Sequence, residues 1–305
     1  MEVFEADTIE NFNRFFGFEP RHPLVAIVNF NSENNHKVHH IMRYGFYALF
    51  LKKTTGCTIN YGRTKYDFDG NTVISFAPGQ TVEIERTDEG IIPEAVGVLF
   101  SPELLARTPL EKGINNYSFF SYASNEALIL SEQECATITR YMDEIQRELQ
   151  HSIDKFSKPL IVSNIEILLN YCLRYYERQF ITREEINISV ISRFEKLLDT
   201  YLNDGEAERY GIPTVKYFAE KICLSPNYFG DLVKAETGKT AQEYIQLKMT
   251  SRAKQLLLSP EMTTKSISAQ LGFQHPQHFL RFFKKQVVLH PANSDYGQIN
   301  QNIAS

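Results

Sequence analysis

Thr214-Val-Lys-Tyr-Phe-Ala-Glu-Lys-Ile-Cys-Leu-Ser-Pro-Asn-Tyr-Phe-Gly-Asp-Leu-Val-Lys234 lies, at an offset of 50 residues, over Thr264-Lys-Ser-Ile-Ser-Ala-Gln-Leu-Gly-Phe-Gln-His-Pro-Gln-His-Phe-Leu-Arg-Phe-Phe-Lys284. Identities fall at Thr214/Thr264, Ala219/Ala269, Pro226/Pro276, Phe229/Phe279 and Lys234/Lys284, and apolar character matches at Leu232/Phe282 and Val233/Phe283. Each copy reads as helix, tight turn, helix. The threonine caps the first helix, the small alanine lets a second helix cross close above it, and the proline occupies a first turn where no amide partner is lost. Phe229, Leu232 and Val233, like Phe279, Phe282 and Phe283, then share one inward face at i, i+3, i+4. Two helices joined by a short turn form the helix-turn-helix layout, whose second helix lies in a DNA major groove. Between the copies, Ile245, Met249, Ala253, Leu256 and Leu257 at helical spacing predict a connecting helix over 241–258.

Charge follows this division. The chain of 305 residues carries a formal −5, but Arg209 to His290 holds 12 Lys+Arg against 5 Asp+Glu, a local +7, leaving −12 for the remainder. A basic module on an acidic body is the asymmetry expected where one end meets a polyanion.

Upstream, short runs rich in β-branched and aromatic residues predict strands at 24–30, 44–51, 58–61, 73–76, 82–84 and 96–100, with turns at Thr55-Gly56, Asp69-Gly70-Asn71 and Pro78-Gly79. Their close spacing suggests a sandwich or small barrel. A less regular stretch covers 101–125. At Ser131-Glu132-Gln133-Glu134 a capping box opens a helix with the apolar seam Cys135, Ile138, Met142, Ile145 and Leu149. That seam suits pairing between two copies of the chain or packing on the chain's own later helices, expected after Pro159 and over 188–202. Tyr210-Gly211-Ile212-Pro213 reads as a linker or domain boundary.

Over 210–286 the sequence resembles the AraC/XylS family of bacterial transcription regulators. The resemblance rests on Ala219, Leu224-Ser225-Pro226-Asn227-Tyr228-Phe229, Gly238, Tyr244-Ile245, Ala253, Leu256-Leu257, Gly272-Phe273, Phe279 and Phe283-Lys284. It implies an α+β chain: a cupin-like regulatory β-barrel or sandwich over 1–130, a helical linker or dimerisation section over 131–205, and an all-α double helix-turn-helix domain over 210–296. One departure stands out. Where the family continues Gly-x-Ser/Thr-Pro-x-x-Tyr/Phe-Arg, this chain has Val288-Leu289-His290-Pro291-Ala292-Asn293-Ser294-Asp295. A valine at a helix-ending glycine position is expected to be strained and the final helix to fray, with weaker DNA binding over 286–296.

By position in the resemblance, Gln277 and Arg281 face bases, with His278 beside them. Glutamine can pair an adenine edge and arginine a guanine edge through two hydrogen bonds each. The matching face of the first copy is Asn227, Tyr228 and Asp231; the acid either accepts from cytosine N4 or pairs within the chain. Lys234, Lys284 and Lys285 are expected on phosphates, as are Thr214, Ser225 and Thr264, whose capping roles alone would also explain them.

The front part offers little catalytic chemistry. His36, His39 and His40 cluster, but adjacent histidines on a strand would point to opposite faces, so an exposed turn of histidines is expected and no metal. No nucleophile triad or phosphate loop is present in the sequence, so neither an enzyme nor a cofactor is expected. Tyr44, Phe46, Tyr47 and Tyr61, with Tyr66 and Phe68, could line a small-molecule effector pocket or simply form core. The four cysteines, Cys57, Cys135, Cys172 and Cys223, show neither disulfide nor zinc spacing and are expected as buried thiols in a reducing compartment. With no export signal or spanning segment read from the sequence, a cytoplasmic homodimer binding double-stranded DNA is expected. The alternative is a non-catalytic interaction protein with an impaired DNA-binding domain; a metal-dependent cupin enzyme with a DNA-binding tail is a third class.

Overall fold

The computed structural model describes residues 3–31, 39–53, 57–60, 71–86, 94–123, 126–182, 184–259 and 261–289. His36, Tyr61, Tyr66 and Phe68 lie outside them, as does everything after Leu289. The chain divides into two compact units, Met1–Thr182 and Arg183–Ser305.

In the first unit β1 (Val3–Ala6), β3 (His39–Tyr44), β7 (Thr81–Arg86) and β5 (Cys57–Asn60) form one sheet in that order. The second sheet runs β2 (Val25–Phe30), β8 (Ala95–Phe100), β4 (Tyr47–Lys52), β6 (Thr72–Phe76), β9 (Leu128–Ile129). All pairings are antiparallel except β1 with β3. Alternate residues Ala26, Val28, Phe30, Ala48, Phe50, Ile74 and Phe76 meet Met42, Tyr44 and Val82 of the other sheet, as the two-residue period of a strand requires. The sandwich is closed by α1 (Ile9–Phe16), which buries Ile9, Phe12 and Phe16.

The run 44–51, read as one strand, is two. It breaks at Gly45, where an added Cβ would stand 2.3 Å from the Asp7 carbonyl oxygen. The chain thereby passes from one sheet to the other. His39 and His40 open β3 rather than forming a turn.

The five-stranded sheet is buried on both faces, which is why β4, β6 and β8 read as nearly continuous apolar runs. Its outer face is covered partly by the stretch 101–125. That stretch is less irregular than its composition suggests, forming α2 (Pro102–Leu105), α3 (Pro109–Gly113) and two 3-10 turns. Ser75 Oγ donates to the Phe119 carbonyl at 3.0 Å, and Phe119 stacks on Tyr176 with ring centroids 5.6 Å apart. Next come α4 (Glu132–Glu148), with the expected Ser131/Glu134 capping box, and α5 (Ser157–Thr182). Arg178 of α5 holds Glu134 at 2.7 Å. The seam Ile138, Met142, Ile145 is fully buried within the unit, against α5 and near β2 and β4. Of the two uses left open for that seam, packing within the chain is the one adopted.

The second unit holds α6 (Glu184–Asn203), α7 (Glu206–Tyr210), α8 (Val215–Ile222), α9 (Pro226–Thr237), α10 (Ala241–Leu257), α11 (Thr264–Gln270) and α12 (Pro276–Leu289). Its single core takes Phe194, Leu198 and Tyr201 of α6 together with Phe218, Phe229, Ile245, Ile267 and Phe279. The helical section 131–205 is therefore split between the units, because the apolar face of α6 is spent on α8, α9 and α10. The tyrosine hydroxyl of Tyr244 donates to Glu195, which also lies 3.9 Å from Lys248. Burial and this carboxylate push the Tyr244 hydroxyl well above its ordinary pKa.

Nor is Tyr210–Pro213 a boundary. Gly211 (φ +91°) packs on Gly272 (φ +83°) so closely that a Cβ on Gly272 would sit 2.4 Å from the Gly211 carbonyl. Tyr201 Oη donates to the Gly211 oxygen at 3.0 Å, fixing the loop from the other side.

Candidate nucleic-acid interface

The first helix of each pair starts on a threonine. Thr214 accepts from the Tyr217 amide at 3.2 Å. In the second copy the cap is Thr263, accepting from the Ser266 amide at 3.1 Å, while Thr264 is already the first helical residue. The offset there is thus 49, not 50. Other contacts agree. The Leu224 amide bonds the Ala219 carbonyl at 2.9 Å, and the Phe273 amide bonds Ser268 at 2.9 Å. Cys223 (φ +65°) corresponds to Gly272 in the same way. The small residue under the crossing is therefore Ser268, 1% exposed, with its hydroxyl donating to the Phe273 carbonyl at 3.3 Å; Ala269 is only half-buried. The register returns to 50 at Pro226/Pro276, so the second turn is one residue longer.

Pro226 and Pro276 open α9 and α12, the second helices of the two pairs. Ser225 caps α9, accepting from the Tyr228 amide at 3.3 Å. Phe229, Leu232 and Val233 turn inward in α9, and Phe279 and Phe283 in α12. The opposite face of α12 exposes Gln277, His278, Arg281, Lys284 and Lys285 in one outward row, as one helical face demands. Gln286 is buried and donates to Gln246 of α10 at 2.8 Å, which locks the helix behind that row.

The face of α9 differs. Asn227 and Lys234 are exposed, but Tyr228 is only 6% exposed and sits in the wall of the unit, not among the outward residues. Its position next to Phe229 extends the apolar face by one residue. Asp231 is half-buried and already interacts within the chain. Glu236 accepts from Asn187 of α6 at 2.9 Å. The result is one outward lysine on α9 against an arginine and two lysines on α12.

Val288 does not stand at a strained helix end: α12 continues through it to Leu289, and no positive φ occurs there. The rest of the departing run, 290–296, falls outside the described residues. Of the effector candidates, Tyr44 and Phe46 are buried with ring centroids 5.7 Å apart, in core already filled by Phe12 and Phe76. Tyr47 points to the other side of its sheet, stacking on Phe100 at 5.2 Å. Cys172 is buried and Cys135 half-buried, but Cys223 is exposed, contrary to the expectation of buried thiols. Among the described residues no group of three or more His, Cys, Asp or Glu could hold a metal ion. No helix among them is long and apolar enough to cross a membrane.

Two helix pairs on one core, each with a second helix that buries one face and exposes residues on the other, define a helix-turn-helix unit. Residues 218–293 match the model of the family described as "Helix-turn-helix domain". Relatives include the uncharacterized HTH-type transcriptional regulators YtdP and YobQ of Bacillus subtilis. The first is 26% identical over 36% of this chain and 14% of its own length, the second 35% over 26% and 32%. The chain thus spans less than a third of these relatives. Among solved structures, the C-terminal domain of the response regulator yesN from Fusobacterium nucleatum is 28% identical over 31% of this chain and 89% of its own, at a TM-score of 0.27. An apo form of ToxT from Vibrio cholerae, carrying a single substitution, is 10% identical over 87% of this chain and 94% of its own, at 0.33. The C-terminal domain is of the AraC type.

Proposed function

We propose that the chain is a sequence-specific, DNA-binding transcription regulator. The observation that carries this reading is the outward row Gln277, His278, Arg281, Lys284 and Lys285, held on a helix whose back is locked into the core. Its members divide by reach. Gln277 and Arg281 lie where a recognition helix meets base edges, and Lys284 and Lys285, one turn on, are phosphate contacts. On α9, Asn227 is the base-reading candidate, Asp231 selects cytosine where it reaches a base at all, and Lys234 meets phosphate. Ser225 and Thr214 add backbone contacts beside their capping roles. The two second helices occupy successive major grooves on one face of the duplex, roughly 34 Å apart.

The first unit takes a small-molecule effector or a partner, and the assembly is a cytoplasmic homodimer whose contact is not the buried seam Ile138, Met142 and Ile145. For this function the DNA-binding part begins with α6 rather than at 210, and the regulatory part takes in α4 and α5.

Selection of random duplexes on the full chain, with affinity measured from ~50 to 200 mM salt, tests the proposal. Neutralising several phosphates makes affinity fall steeply and log-linearly with salt. A flat salt response would instead favour an interaction protein that has lost its grip on DNA, a reading that the acid-bearing face of α9 supports.

A further inference from the structure

Between α4 and the outer face of the five-stranded sheet runs a groove of two adjoining compartments, about 540 Å3 and about 440 Å3. Both volumes fall within the ~300–1,000 Å3 range of small-molecule sites. Lys53, just past β4, and Asp143, on α4, line both compartments. Neither side chain has a hydrogen-bond or ion-pair partner among the described residues, and they do not pair with each other. Of the other charges on the lining, Arg21 pairs with Glu19 at 3.5 Å and Arg140 with the Tyr141 hydroxyl at 3.1 Å and over its ring, while Glu132 lines the smaller compartment alone. Thr139 and Gln146 flank Asp143 at i−4 and i+3, on the same side of α4. Ile27 and Val96 supply an apolar floor from the sheet.

Lys53 and Asp143 are the charged residues common to both compartments, and opposite charges that face one groove without pairing, above an apolar floor, match a ligand that carries both complementary charges and a short hydrocarbon part. We propose that this groove binds a small zwitterion, an α-amino acid or a dipeptide, with its carboxylate on Lys53, its ammonium on Asp143 and its side chain on Ile27 and Val96. A molecule with only one charge leaves the other protein charge facing an apolar group, which is how the groove selects. As an effector site it rests on the regulatory reading above; as a binding site it does not need DNA.

Isothermal titration calorimetry on the full chain tests it, with L-leucine and glycyl-leucine as probes. The matched one-charge analogues are 4-methylpentanoate and 3-methylbutylamine. At least one zwitterion is expected to bind with a Kd on the order of 10–1,000 μM, and each one-charge analogue at least ~10-fold more weakly. Preference for leucine assigns an amino acid, preference for glycyl-leucine a peptide. Lys53→Met and Asp143→Asn should each weaken the preferred zwitterion by ~10-fold. Lys53→Met should leave 3-methylbutylamine unchanged, and Asp143→Asn should leave 4-methylpentanoate unchanged, a crossed pattern that general loosening of the unit cannot produce. Both residues are exposed, so unchanged melting temperatures confirm intact variants. No heat from either zwitterion at ~10 mM would overturn the proposal, as would variants that bind like the parent. Because no duplex is present, failure here and failure of DNA binding are read separately.

Discussion

The two helix pairs of the C-terminal unit share an architecture but not a surface, and their differences divide into structural and chemical ones. Structurally, the first pair turns through Cys223 and the second through Gly272, each with a left-handed backbone. The Cys223 side chain is exposed, whereas Gly272 lies against the Gly211 backbone. Chemically, α12 exposes Arg281, Lys284 and Lys285, while α9 exposes Lys234 and half-buries Asp231. A duplicated fold thus keeps its inward residues because one core must be filled twice. Its outward residues are free of that constraint and have diverged, as the proposed reading of a different stretch of duplex by each helix would require.

The largest effect should come from making the turns alike. Gly272→Ala adds a Cβ where 2.4 Å separates it from the Gly211 carbonyl, on top of a left-handed φ. Left-handed strain of ~1–2 kcal/mol and overpacking of ~1–3 kcal/mol combine to a loss of about 3 kcal/mol. The reverse change, Cys223→Gly, relieves the same φ without a neighbour to lose and should be neutral or stabilising by up to ~1 kcal/mol. Urea unfolding of both variants checks the pair; equal effects would mean that the turns are not distinguished by the Gly211 contact.

Next in size are the outward residues. Arg281→Ala should cost ~1–3 kcal/mol at the selected duplex and relax one position of its sequence preference. Asn227→Ala should cost less, since α9 has less charge to hold it in the groove. Competition binding against cognate and scrambled duplexes reads both. Equal losses on the two duplexes for Arg281→Ala would remove its base-reading role. Lys284→Ala, by contrast, should weaken all sequences alike and lower the slope of log K against log salt by about 1.

Much of this is legible in the sequence itself. The paired prolines and phenylalanines mark α9 and α12, and the Ser131 capping box marks α4, because these signals are local: a cap, a ring constraint, a helical period. What escapes depends on contacts distant in sequence. Gly211 reads as a linker until its carbonyl is found beneath Gly272. The apolar face of α6 reads as an equal partner for α4 until Phe194 and Leu198 are found in the other core. Tyr228 reads as outward because it adjoins Asn227, yet the wall of the unit claims it. The strands β1 and β3 do not stand out as strands of their own. One is a short, charged edge; the other runs straight into the apolar sequence of β4 across Gly45.

The finest disagreement between sequence and structure is a single residue of register, and it can be measured. Aligning by identity pairs Thr214 with Thr264, whereas the hydrogen bonds pair it with Thr263. A threonine that caps a helix contributes ~1 kcal/mol through the amide it satisfies, while the first helical residue contributes little beyond propensity. Thr263→Ala should therefore destabilise the unit by ~1 kcal/mol, as should Thr214→Ala, and Thr264→Ala should change stability by less than ~0.5 kcal/mol. Were Thr264→Ala the costly one, α11 would start a residue later, and the longer second turn would vanish. That turn matters beyond stability, since an extra residue between α11 and α12 resets how far Gln277 and Arg281 project from the core compared with Asn227 and Asp231. The two helices would then be related by a strict repeat, and their different surfaces would have to be explained by side chains alone.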